Sequence, residues 1–240
     1  MRHLGVVLIA LASFATGAVA QSAATDSARA LVAEDDQARW SAIGRINVAG
    51  QGFCTGTLIS ERLVVTVAHC LFGQRTGRAI AADRIHFLAG YRIGAYAAHR
   101  IGSRVAVSPD YRHGETTGAV IAADLALIEL AEPIAPDVVA PIQVDCCAAL
   151  GDPVTTLSYG MDRPEALSRQ GDCAIVARYG PILVTDCEAT PGVSGAPLIN
   201  EASGVPGILG VIVAMDGRIR ADAIAVELSD RLAALKTLLR

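Results

Sequence analysis

Along this chain, short runs of apolar and β-branched residues are cut repeatedly by glycine, proline, serine and charged turns. No run is long or regular enough to carry a helical 3.6-residue stripe until the C-terminus. From Trp40 the pattern predicts strands over 41–48, 56–60, 63–66, 85–89, 104–107 and 125–130. Pro133, Pro136 and Pro141 crowd the stretch 131–142, a composition expected of a crossover between two halves. Strands resume over 154–158, 174–179, 182–185, 197–200, 208–214 and 223–226. Ser229 reads as a helix N-cap, and Leu232, Leu235, Leu238 and Leu239 as the apolar face of a terminal helix docked on the body. Short strands at this spacing predict an all-β chain closed into barrels or sandwiches.

The N-terminus differs. Arg2 and His3 form a basic start, residues 4–12 are almost wholly apolar, and Ala18-Val19-Ala20 is a small-x-small cleavage site. Residues 1–20 therefore read as a signal peptide. Residues 21–39 read as a leader or propeptide, flexible or weakly helical over 26–38, with Asp35-Asp36 a solvated acidic pair. The apolar run is too short to span a membrane, and no later one reaches 18 residues, so no stable membrane anchor is expected. The formal charge of −4 gives no reason to expect a nucleic-acid partner. The 52% hydrophobic content, with 23 glycines and 10 prolines, fits a β-rich chain of one large or two small domains.

Candidate chemistry centres on Thr190-Pro191-Gly192-Val193-Ser194-Gly195-Ala196-Pro197. Glycine on both sides of the Val193-Ser194 pair permits a bend that projects a hydroxyl while nearby N–H groups point to the same spot. Upstream lie Thr66-Val67-Ala68-His69-Cys70 and Asp124-Leu125-Ala126-Leu127. A serine hydroxyl needs a neutral imidazole to take its proton, and the imidazole needs a carboxylate to fix its tautomer. Taken singly, a core histidine, a strand-opening aspartate and a Gly/Ser turn are all ordinary. Their joint occurrence makes the signal.

With Phe53-Cys54-Thr55-Gly56-Thr57-Leu58-Ile59-Ser60 added before the His69 segment, the chain resembles a secreted serine peptidase of the chymotrypsin-like superfamily. It is most similar to the bacterial branch that includes the V8-like glutamyl endopeptidases. The resemblance runs from about Trp40 to Leu228. It implies two six-stranded antiparallel barrels, the first over 40–135 and the second over 136–240 with the helix. His69 and Asp124 would come from the first and Ser194 from the second. It further implies that Ser194 attacks a peptide carbonyl, His69 is the general base and Asp124 orients it. The N–H groups of Gly192 and Ser194 would hold the oxyanion. No metal or organic cofactor is required. An α/β-hydrolase elbow is excluded by Ala196 where a glycine is needed and by the order His, Asp, Ser. No His-Glu-x-x-His spacing supports a metallopeptidase.

The resemblance also implies a Cys54–Cys70 disulfide, whose sixteen-residue separation would contribute roughly 3 kcal/mol in the chain-entropy view. Cys173 and Cys187 are the expected second pair, although three pairings remain open among the last four cysteines. Adjacent Cys146 and Cys147 would make a strained bond. Two departures stand out. Val193 replaces the aspartate that pairs with a newly cut N-terminus in trypsin, and Val213, on the wall facing substrate backbone, falls where a serine is frequent. Glu188, six residues before Ser194, occupies the place of the acidic S1 floor and would select Arg or Lys at P1; a surface-exposed carboxylate is the plain alternative. The expectation is a secreted or periplasmic monomer acting on protein or peptide substrates. A catalytically silent binding protein on the same scaffold is the rival.

Overall fold

The computed structural model describes residues 30–48, 51–216 and 222–239. The signal peptide expected over 1–20 and the first part of the leader lie outside these residues. Of the described leader, Ala30–Leu31 is a strand, β1, and Gln37–Trp40 a 3₁₀ turn. Strands β2 (Ile43–Val48), β3 (Gly52–Ser60), β4 (Leu63–Thr66), β5 (Ile85–Ala89), β6 (Ala98–Val107) and β7 (Ala126–Leu130) follow. After the crossover come β8 (Gln143–Val144), β9 (Pro153–Gly160), β10 (Arg163–Tyr179), β11 (Ile182–Glu188), β12 (Pro197–Asn200), β13 (Gly207–Asp216) and β14 (Asp222–Glu227). Among the described residues two α-helices accompany them, the short α1 (Gly118–Ala122) and α2 near the C-terminus (Ser229–Thr237).

The first barrel closes in the order β2-β3-β4-β7-β6-β5. The second forms the ring β10-β11-β14-β13-β12-β9, closed by antiparallel pairing of β9 with β10. The fold is therefore the expected pair of six-stranded antiparallel barrels. Closure leaves no unpaired sheet edge within either ring. Period-two alternation explains which residues face in. In β5, Ile85, Phe87 and Ala89 are buried while His86 and Leu88 face outward and are half-covered. In β11, Leu183, Thr185 and Cys187 are buried. Ile43, Ile46, Leu58, Phe87 and Ile128 fill the first core, and Ile175, Leu183, Leu198, Leu209 and Ile212 the second.

The leader is not separate from the barrels. β1 pairs with β10 of the second barrel, and Val32 and Trp40 are 5% and 3% exposed. Arg92, from the β5–β6 connection, donates to Val32 O at 3.0 Å, and Gln37 donates to Gly90 O at 2.6 Å. Residues 30–40 thus strap the two barrels together. Their Ala/Asp-rich composition concealed this, because two paired residues and one buried tryptophan leave no periodic trace. At the other end, Leu232, Leu235 and Leu239 dock as expected, but Leu238 is 50% exposed. Ser229 is the first helical residue, and the helix has no side-chain cap.

The strap ends in an ion pair. Arg39 lies 2.9 Å and Arg169 2.7 Å from the two carboxylate oxygens of Glu201. Burial alone would raise this carboxyl, but the hydrogen bond from Arg169, one with Thr155, and the charges of Arg169 and Arg39 outweigh it and hold it below the usual range. A carboxyl depressed in the folded state contributes stability above its unfolded value, near 4.5, and loses it as pH falls through the folded value. Both arginines are largely solvated, so the contribution is about 0.5 kcal/mol. Glu201→Gln should lower urea stability by about that amount at pH 7 and by less at pH 3. Equal loss at both pH values would show that packing, not charge, accounts for the effect.

Candidate active site

His69 lies in a 3₁₀ turn, Ala68–Leu71, that follows directly from β4. Ala68, Cys70 and Leu71 are buried, which turns the imidazole outward with 32% of its side chain exposed. The Cys54–Cys70 disulfide, with Cα atoms 6.3 Å apart, ties this turn to β3. Asp124 follows α1, whose N-terminus is capped by the Thr117 hydroxyl accepting from Val120 N–H. The Asp124 carboxylate reaches His69 twice: Oδ1 accepts the main-chain N–H at 2.9 Å, and Oδ2 lies 2.6 Å from Nδ1. A carboxylate only accepts at this site, so Nδ1 is the donor of this bond and Nε2 is left facing away from Asp124. Asp124 is 7% exposed. Its charge is felt by Tyr111, whose hydroxyl is pushed up to about 12, first by burial and then by Asp124.

Ser194 sits in a loop built by its two glycines. Gly192 has φ +94°, and a Cβ there would lie 2.8 Å from Met161 N. Gly195 has φ +81°, and a Cβ would run into Thr55 O and Thr66 Oγ1. Backbone bonds fix the loop: Met161 N–H to Pro191 O at 2.8 Å, Val193 N–H to Thr190 O at 3.2 Å, and Gly195 N–H to Ile212 O at 2.8 Å. Thr55 N–H donates to Ser194 O at 2.9 Å, docking the loop onto the first barrel. Among the described residues, no carbonyl accepts the N–H of Gly192 or of Ser194.

His69, Gly192 and Ser194 line one open cavity of about 490 Å³, with Cys54, Cys70, Phe53, Phe72, His113 and Met161 around them. The structure therefore sets His69, Gly192 and Ser194 on one cavity, with Asp124 bonded to His69. Phe72, stacked on His113 with ring centroids 5.1 Å apart, was missed. Only its position after the His69-Cys70 motif could have pointed to it. His113 itself lies 44 positions beyond His69 in a loop without strand pattern. Glu188 and Val213 are not part of this cavity. Glu188 ends β11 exposed to solvent, its N–H donating to Gln170 Oε1 at 3.0 Å, and Val213 is buried in β13.

Cys173 and Cys187 join β10 to β11 with Cα atoms 5.2 Å apart, the expected second disulfide. Cys146 and Cys147 are exposed free thiols. Cys54, His69 and Cys70 lie close enough together to suggest a metal site. Both sulfurs are in the disulfide, however, and offer no thiolate, so the set does not fit a metal ion.

Among solved structures, a Glu endopeptidase in complex with MPD is similar, with a TM-score of 0.72 and 16% sequence identity. The match covers 88% of this chain and 95% of that one, a likeness of fold. The sequence model of the trypsin family matches residues 32–227. The chain belongs to the trypsin family and is a trypsin-like serine peptidase of the chymotrypsin-like superfamily.

Proposed function

We propose that this protein is an exported endopeptidase that cuts protein or peptide substrates through an acyl-enzyme on Ser194. The observation that carries the reading is the double hold of Asp124 on His69 beside a serine flanked by two uncommitted N–H groups. With Nδ1 engaged by Asp124, Nε2 is the base that takes the Ser194 proton as Oγ attacks the peptide carbonyl. Negative charge then grows on the carbonyl oxygen. In this reading the N–H groups of Gly192 and Ser194 receive it, and removing one such donor from an acyl-transfer enzyme costs about 10²–10³ in kcat. The imidazolium returns its proton to the departing amine. Water, deprotonated by the same His69, completes hydrolysis. Export is supported by the two disulfides and by the signal-peptide pattern read over 1–20.

The uncharged Val193 removes the aspartate-to-N-terminus switch, so the loop must hold its shape by its own bonds. A second reading, a silent binding protein on this scaffold, has no specific observation in its favour.

A serine-directed aryl phosphonate should modify the protein stoichiometrically at Ser194. Labelling should vanish in Ser194→Ala and fall by roughly 10⁴-fold or more in His69→Ala. A folded wild-type chain that takes up no label defeats the peptidase reading.

For specificity, we propose that Glu188 favours Arg or Lys at P1. Because this carboxylate is solvated, its attraction is that of a surface charge rather than a desolvated pocket floor. Digestion of a peptide library should show that preference falling only about 2- to 5-fold in Glu188→Gln. Cleavage mainly after Glu or large apolar residues, unchanged by the substitution, would remove Glu188 from the account.

A further inference from the structure

Cys146 and Cys147 have no role in the chemistry above. They are adjacent, exposed and unpaired, while the other four cysteines form two disulfides. Cys147 has φ +70°, a left-handed conformation that a residue with a Cβ rarely adopts. A hydrogen bond that the Cys146 thiol donates to the Cys147 side chain, and then the charge of Cys147, push the Cys146 thiol above its ordinary value.

A bond between neighbours encloses no intervening chain, so it cannot restrain the unfolded state and is no structural staple. Their Cα atoms, about 3.8 Å apart, fall short of the usual disulfide range of roughly 4.4–6.8 Å. Such a bond is strained and readily exchanged with small thiols, as regulatory disulfides are.

The pair lies between two fixed points. On one side, Asp145 N–H donates to Ile208 O of β13 at 2.9 Å, and Asp145 Oδ1 accepts the Cys146 N–H at 2.8 Å. On the other, Ala148 is 5% exposed and belongs to the buried cluster that contains Ala189, Val193 and Ala196. Arg178 donates to Ala148 O at 2.5 Å. Closing a ring between 146 and 147 changes the backbone between these anchors. One of these anchors, Ala148, shares a core with Val193, the residue that spaces the Gly192 and Ser194 N–H groups.

We propose that Cys146 and Cys147 are a reversible redox switch, closing to a vicinal disulfide that slows acylation of Ser194. The inference rests on the endopeptidase reading above. One thiolate attacks a small-molecule disulfide such as oxidised glutathione, forming a mixed disulfide and releasing one thiolate. The neighbouring cysteine attacks the protein sulfur of that bond and releases the second. The protein pair is oxidised by two electrons, and one disulfide becomes two thiols.

The test uses the full exported chain equilibrated in glutathione buffers of graded poise, with each sample split. Peptide mapping by mass spectrometry should show loss of two hydrogen atoms across 146–147 with both other disulfides intact. On the same samples, the rate of phosphonate labelling at Ser194 should fall roughly 2- to 30-fold on closure and recover on reduction. The Cys146→Ser/Cys147→Ser double variant should label at one rate throughout. Persistent free thiols, a stable glutathione adduct or a covalent dimer would overturn the ring. A formed ring with unchanged labelling would overturn the switch. Absence of labelling in every state defeats the peptidase reading and the switch with it, whereas unchanged labelling defeats the switch alone.

Discussion

The two barrels meet at Thr55, and the geometry of the site depends on its bonds. This residue is fully buried in β3. Its N–H donates to Ser194 O at 2.9 Å, its hydroxyl oxygen accepts from Tyr159 N–H at 3.0 Å, and its carbonyl accepts from the Thr66 hydroxyl at 2.9 Å. Thr66 ends β4, immediately before the turn that carries His69. One residue therefore ties the serine loop, the neighbouring strand of the second barrel and the histidine turn to a common point. Buried polar groups are costly unless satisfied, so these bonds hold a definite geometry rather than one of many. Gly195 completes the arrangement, because any Cβ there would collide with Thr55 O and Thr66 Oγ1.

The same logic governs the charge. A carboxylate as buried as Asp124 is tolerated only where donors replace its water. His69 supplies two of them, one from its ring and one from its own backbone. The imidazole is thereby oriented by its own main chain, and the Cys54–Cys70 bond fixes that main chain to β3. Across the interface, Arg45 of β2 donates to Pro164 O and Glu165 Oε1, both at 3.0 Å, and the Tyr91 hydroxyl donates to Glu165 Oε2 at 2.5 Å. These contacts, like the strap over 30–40, resist sliding of one barrel against the other. Such sliding would separate Ser194 from His69.

The strands legible in the sequence are those whose alternation is strong. Residues 85–89 and 197–200 emerge with the bounds expected, whereas β10, expected over 174–179, begins at Arg163. Polar Glu165, Ser168 and Gln170 hide its start, yet Ser168 and Gln170 are buried and the strand is paired there with β9. The core between barrels accepts such residues when the sheet satisfies their backbones, and composition alone does not reveal that. His69, Asp124 and Ser194 stood out as candidates because acyl transfer needs those residue types, and the resemblance sets them in that order within distinctive apolar contexts. Phe72, Met161 and His113 were not, since walls of a cavity require only bulk and contact.

Glu188 illustrates why a matching position does not fix a role. Period two makes Leu183, Thr185 and Cys187 one face of β11, and Cys187 is held inward by its bond to Cys173. Its neighbour Glu188 must then point the other way while the strand continues, and it does continue, pairing with Asp222. To floor a pocket, the carboxylate would have to leave that register and surrender its water. A charge that keeps its water attracts weakly and is screened by salt. The loop that follows, between Ala189 and Gly192, instead brings Pro191 and Gly192 to the cavity. That loop is set by Pro191 and by the bond from Met161 N–H to Pro191 O.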